Sequence, residues 1–126
     1  ADKLALVGFS QGTMMSLYVG LRRKPAPAAI VGYSGMLVGA ETMTKIENGP
    51  PVLLLHGDAD QVVPPQALLM SANALAGVGV PVQWHMSKGL GHGIDPTGLA
   101  LGGHFLANVF SGQMPRTGPI TLTPPR

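Results

Sequence analysis

Four short apolar runs punctuate the chain: Leu4-Ala5-Leu6-Val7, Ala29-Ile30-Val31-Gly32-Tyr33, Val52-Leu53-Leu54-Leu55-His56 and Val82-Gln83-Trp84-His85-Met86. The last three are bounded by glycine or proline and rich in branched or aromatic residues. That pattern predicts parallel strands covered on both faces. Between the runs the period changes. Residues Gln11 to Arg23 place Met14, Leu17, Tyr18 and Leu21 on one helical stripe, and Pro25 stops the helix soon afterwards. Pro65 to Ala76 opens on a proline suited to a first helical turn and ends before Gly77. Thr97 to Phe110 aligns Leu99, Leu106, Val109 and Phe110, with Gly102 and Gly103 among them. Each glycine weakens a helix by about 1 kcal/mol relative to alanine, so both predict close packing against a sheet. This alternation of strand and helix predicts an α/β fold with a doubly wound parallel sheet. Ser34 to Pro51 is the longest irregular connection and a candidate rim or lid over a site. From Ser111 the tail carries Pro115, Pro119, Pro124 and Pro125 with few apolar residues, which predicts an extended or disordered end with no element of its own.

A chain of 126 residues suits one small domain with a buried core. The 45% hydrophobic and 11% charged content belongs to a globular chain rather than a disordered one. A net charge of +2, with only Arg22-Arg23-Lys24 adjacent, makes no basic stripe for nucleic acid. Those three cations suit the C-terminal end of a helix instead. With no cysteine there are no disulfides, thiolate metal sites or cysteine nucleophile. No apolar run approaches the ~20 residues of a membrane span. No signal peptide is visible, and the expected location is cytoplasmic. The chain begins at Ala1, three residues before an apolar strand, with no strand ahead to flank it. We therefore expect the C-terminal part of a larger domain, with its early strands and any targeting signal lying upstream.

Chemistry concentrates where strands end. Gly8-Phe9-Ser10-Gln11-Gly12 sits between the first apolar run and the first helix, the context of a G-x-S-x-G nucleophile elbow. Side chains at Gly8 or Gly12 are expected to collide with neighbouring backbone in so tight a turn. In an open parallel sheet, functional groups gather beyond the carboxyl ends of the strands. Asp60 follows the strand ending at His56, and His92 follows the strand ending at Met86. Ser10, Asp60 and His92 therefore share one edge, as nucleophile, acid and base of a triad. Asp58 is the rival acid in the same turn and more naturally braces the loop through backbone hydrogen bonds. Asp95 follows His92 closely and suits the cap of the last helix. His56 reads as a structural hydrogen-bonding residue; His85 and His104 read as structural or solvent-facing. No histidine is paired with carboxylates as in zinc hydrolases, so neither metal nor cofactor is expected. Gln11 and Met36 are candidates for lining an acyl pocket, and Met36 serves equally as core.

Four stretches in order resemble the phospholipase/carboxylesterase family of α/β-hydrolases, which includes the acyl-protein thioesterases. They are Gly8-Phe9-Ser10-Gln11-Gly12, Tyr33-Ser34-Gly35 with Met36-Leu37, His56-Gly57-Asp58-Ala59-Asp60-Gln61-Val62-Val63-Pro64, and Gly91-His92-Gly93-Ile94. The resemblance runs from Leu4 to Phe110, with residues 1–110 as the C-terminal part of such a domain and 111–126 as a tail. It implies Ser10 as nucleophile, Asp60 as acid, His92 as base and the Gln11 N–H as one oxyanion donor. Thr13 departs from the family, many of whose members carry a third glycine there. The implied activity is cleavage of a small-molecule carboxylic ester or thioester through an acyl-enzyme. Other α/β-hydrolase chemistry (peptidase or lactonase) and a non-catalytic interaction module are the alternatives. The family's second oxyanion donor comes from a loop after an early strand. Its absence predicts an isolated chain that is nearly inactive on p-nitrophenyl acetate. Acyl length, natural substrate and oligomeric state are not legible in the sequence.

Overall fold

The computed structural model describes residues 3–40, 43–46, 49–113 and 117–120. Among the described residues five parallel strands form one sheet in the order β1-β2-β3-β4-β5: β1 (Ala5–Phe9), β2 (Ala29–Tyr33), β3 (Val52–Gly57), β4 (Val82–Ser87) and β5 (Gly118–Pro119). Three helices join them: α1 (Gln11–Arg22), α2 (Gln66–Gly77) and α3 (Pro96–Phe110). Each apolar run became a strand, and β1, β3 and β4 extend beyond their runs toward the loops that follow. Backbone pairing needs no side-chain hydrophobicity, so Gly8 and Phe9 continue β1 in register with Gly32 and Tyr33.

Alternation along β2 and β3 feeds two cores. Ile30, Val52 and Leu54 pack with Leu17, Leu21, Leu68 and Leu75 from α1 and α2. Ala29, Val31, Tyr33, Leu53 and Leu55 pack on the other face with Leu101 and Phe105 of α3. The sheet is thus covered on both sides at its centre, which is why β2 and β3 are buried at every residue. Strand β1 differs. It is an edge strand among the described residues, and Val7 and Phe9 stand 57% and 41% exposed.

Three expectations need correction. The tail does build an element: Gly118 and Pro119 pair with Gln83 and Trp84, and Ile120 is buried beside Phe105. Main-chain pairing to β4, with Ile120 N–H donating to Trp84 C=O, holds a segment that its composition could not. Residues 114–116 and 121–126 of that tail lie outside the described residues. Gly102 meets the Tyr33 hydroxyl where a Cβ would stand, but Gly103 faces open space, so only one of the two glycines serves packing. At the elbow, a Cβ on Gly8 would overlap Gly12 carbonyl atoms, whereas a Cβ on Gly12 would meet nothing within 4 Å.

The connection 34–51 carries no α-helix or strand among its described residues. Leu37, Met43 and Ile46 pack into the core on the α1 and α2 side. Asp95 caps α3, its Oδ1 accepting the Gly98 N–H at 2.7 Å. Arg22 stacks on the Tyr18 ring and donates to the Tyr18 carbonyl, near the end of α1 where a cation is favoured.

Candidate active site

Because every strand is parallel, the exits of β1, β2, β3 and β4 lie along one rim. Ser10 is the residue between β1 and α1, with φ 55° and ψ −115°. For a residue with a Cβ this is a sparsely populated conformation, held by its surroundings. Ser10 N–H donates to the Tyr33 carbonyl at 2.8 Å, and the Thr13 hydroxyl donates to the same oxygen at 2.8 Å. Thr13 is fully buried, and its side chain fills the room left beside Gly32 and Gly35. The departure at this position is therefore accommodated by two glycines on β2 and its exit.

Asp60 lies three residues beyond β3 and is 4% exposed. Its Oδ1 accepts the N–H groups of Val62 and Val63 at 2.8 and 2.9 Å. Its Oδ2 accepts His92 Nδ1–H at 2.8 Å. Burial alone would raise the Asp60 pKa, but the hydrogen bonds from His92, Val63 and Val62 outweigh it and hold the pKa below the ordinary value. His92 Nε2 accepts the Ser10 hydroxyl at 3.0 Å. These bonds assign the proton on the ring to Nδ1. Phe9 flanks the imidazole, with ring centroids 5.0 Å apart.

The loop bearing His92 is laced to its neighbours. Asp58 Oδ1 accepts Gly89 N–H at 2.6 Å, Ala59 N–H donates to Leu90 C=O at 2.9 Å, and Ser34 Oγ donates to Gly93 C=O at 2.8 Å. Asp58 thus braces a loop distant in sequence rather than its own turn. Ser34 has φ 54° and is fully buried. Its place just past β2 on the same rim is the signal that could have singled it out.

Gln11 opens α1, where the first N–H groups of a helix have no intrahelical acceptor, so its amide is placed to meet an anion. Met36 is half-buried and lines an apolar groove of about 350 Å³ with Leu37, Ala40, Pro64, Met70 and Ala74. His85 is half-buried on β4, and His104 is exposed on α3; neither is hydrogen-bonded to Ser10, Asp60 or His92. Among the described residues no group of three or more His, Asp or Glu side chains could hold a metal ion. None of the described helices is long and apolar enough to cross a membrane.

Comparison with known proteins gives the chain a family. Residues 1–110 match the model of the phospholipase/carboxylesterase family. Acyl-protein thioesterase 1 of Gibberella zeae is 35% identical over 104 residues, covering 78% of this chain and 44% of that protein. The crystal structure of esterase PE8 superposes with a TM-score of 0.78 at 43% identity, over 83% of this chain and 49% of that one. Zea mays acyl-protein thioesterase 2 superposes with a TM-score of 0.71 at 29% identity, over 82% of this chain and 55% of that one. The chain spans about half the length of the relatives it matches. The match over residues 1–110, joined to the shared parallel-sheet fold, makes this chain a member of the phospholipase/carboxylesterase family of α/β-hydrolases.

Proposed function

We propose that the protein is a serine hydrolase that cleaves carboxylic esters or thioesters through an acyl-enzyme on Ser10. The observation carrying this is the unbroken hydrogen-bond chain from Ser10 Oγ to His92 at 3.0 Å and from His92 to Asp60 at 2.8 Å. Ser10 attacks the carbonyl carbon as His92 Nε2 takes its proton, and Asp60 stabilises the imidazolium that results. The tetrahedral oxyanion lies against the Gln11 N–H, as a developing charge does at a helix N-terminus. Its collapse expels the alcohol or thiol, protonated by His92, and leaves an ester on Ser10. Water activated by the same imidazole then releases the acid.

The groove beside Met36 supports an apolar acyl moiety, since its walls are mostly methionine, leucine, proline and alanine side chains, with Gln66 and Ser71 as the polar members. The substrate is a small-molecule ester or thioester, with no role for nucleic acid. We place the protein in the cytoplasm.

Labelling the intact gene product with a fluorophosphonate tests the assignment. Covalent modification confined to Ser10, abolished in S10A and paralleled by hydrolysis of p-nitrophenyl acetate, is the expected result. A folded protein that neither labels nor turns over would replace it with a binding role, and labelling confined to another residue would overturn Ser10 as the nucleophile.

A further inference from the structure

Asp60 is held by more than the imidazole it serves. A carboxylate offers about four lone-pair sites; three hydrogen-bond donors take this one, and a fourth polar group lies close by. Val62 and Val63 N–H take Oδ1, His92 Nδ1–H takes Oδ2, and His56 Nε2 lies 3.2 Å from the same Oδ2. The His56 side chain is wholly buried at the end of β3, and its Nε2 is also 2.8 Å from the Val63 carbonyl. Both neighbours of Nε2 are acceptors, so Nε2 carries the proton, donating it to the Val63 carbonyl with Asp60 Oδ2 close beside it. Nδ1 is buried with no hydrogen-bonding partner among the described residues, and a proton placed there would be an unpaired buried donor. In the Nε2–H tautomer His56 donates to the Val63 carbonyl and turns the same N–H edge toward Asp60 Oδ2, 3.2 Å away.

We infer that His56 is a positioning residue for the triad acid: its Nε2–H pins the Val63 carbonyl, closing the turn whose amides hold Asp60, and its 3.2 Å contact with Oδ2 keeps the carboxylate aimed at His92. The inference rests on the hydrolase reading above. Two backbone amides hold only Oδ1. His56 instead anchors the reacting oxygen to a buried strand. It touches neither Ser10 nor the substrate groove, so its effect belongs to the rate of the chemical step and not to binding.

The test compares H56F, which keeps a ring and loses the donor, with H56Q, whose amide nitrogen reaches the position of Nε2. Both are made in the intact gene product, with kcat and KM on p-nitrophenyl acetate and the low-field proton resonance of the His92–Asp60 bond as readouts. H56F should lose about 10- to 100-fold in kcat with KM changed by less than about twofold, the scale of a sub-ångström misplacement. Its low-field resonance should move upfield or vanish, and H56Q should recover most of both. H56N, whose amide stops short of Nε2, carries the same expectation as H56F should the phenylalanine not fold. A folded H56F with wild-type kcat and an unmoved resonance would overturn the inference, as would an H56Q as impaired as H56F. Failure of both H56F and H56N to fold would make His56 a folding residue and overturn it too. If the wild type neither labels nor turns over, the hydrolase reading fails, and the resonance still decides whether His56 holds Asp60.

Discussion

Replacing Gly57 with alanine would set a methyl group against the backbone of the loop that carries His92. A Cβ built on Gly57 stands 2.6 Å from the Gly91 carbonyl oxygen and overlaps that of Leu90, whereas ordinary contact begins near 3.4 Å. The loop must therefore retreat by roughly 1 Å, because neither neighbour is a side chain that can swing aside. His92 follows Gly91 directly and moves with it. A hydrogen bond of 3.0 Å from Ser10 to His92 then opens toward about 4 Å, beyond the range in which it survives. Misplacement on this scale costs on the order of 100-fold in rate. Overpacking of this kind costs about 1–3 kcal/mol in stability, so the melting temperature should fall by several degrees, roughly 3–10 °C for a domain of this size. Rates of fluorophosphonate labelling at Ser10, measured beside thermal melts, separate the two effects. A G57A protein that labels at the wild-type rate and melts at the wild-type temperature would refute the claim that this close approach sets the His92 position.

Three other perturbations bear on the same rim. D60N should lower kcat by about 10³- to 10⁴-fold, since an amide cannot hold the His92 tautomer or its charge; steady-state ester hydrolysis checks this. The folded Asp60 pKa lies below its unfolded value, so the unfolded chain binds more protons in acid. Stability from this group is present above the ordinary value of 3.8 and disappears as pH falls through the folded pKa, and urea melts of D60N in acid should lack that component. S34A removes the hydroxyl bound to Gly93 C=O and should cost about 1–3 kcal/mol in denaturant melts, while S34G loses the same bond but relieves the positive φ and should cost about 1 kcal/mol less. Y33F strips the 2.9 Å hydrogen bond to Gly98 C=O and should destabilise by about 1 kcal/mol without changing the labelling rate.

The patterning of the chain was enough to place the helices and four of the five strands, because periodicity and the Gly and Pro stops act within a few residues. It also put Ser10, Asp60 and His92 on one rim, since parallel strands send their exits the same way. What it could not supply were distances between loops far apart in sequence. Asp58 looked like a local brace and instead reaches Gly89, 31 residues on. His56 read as a structural residue, and its second contact to Asp60 exists only once the 57–63 turn folds back on β3. Gly8 and Gly12 were equivalent as letters, yet one is closed in by backbone and the other faces open space. The strand at Gly118 escaped notice because Gly118 and Pro119 carry no strand pattern of their own and are held by pairing to β4 main chain. Local preference chose the elements. Which atoms meet across the rim was set by packing two helices on one face and one on the other, a matter of three-dimensional fit that no short window of sequence contains.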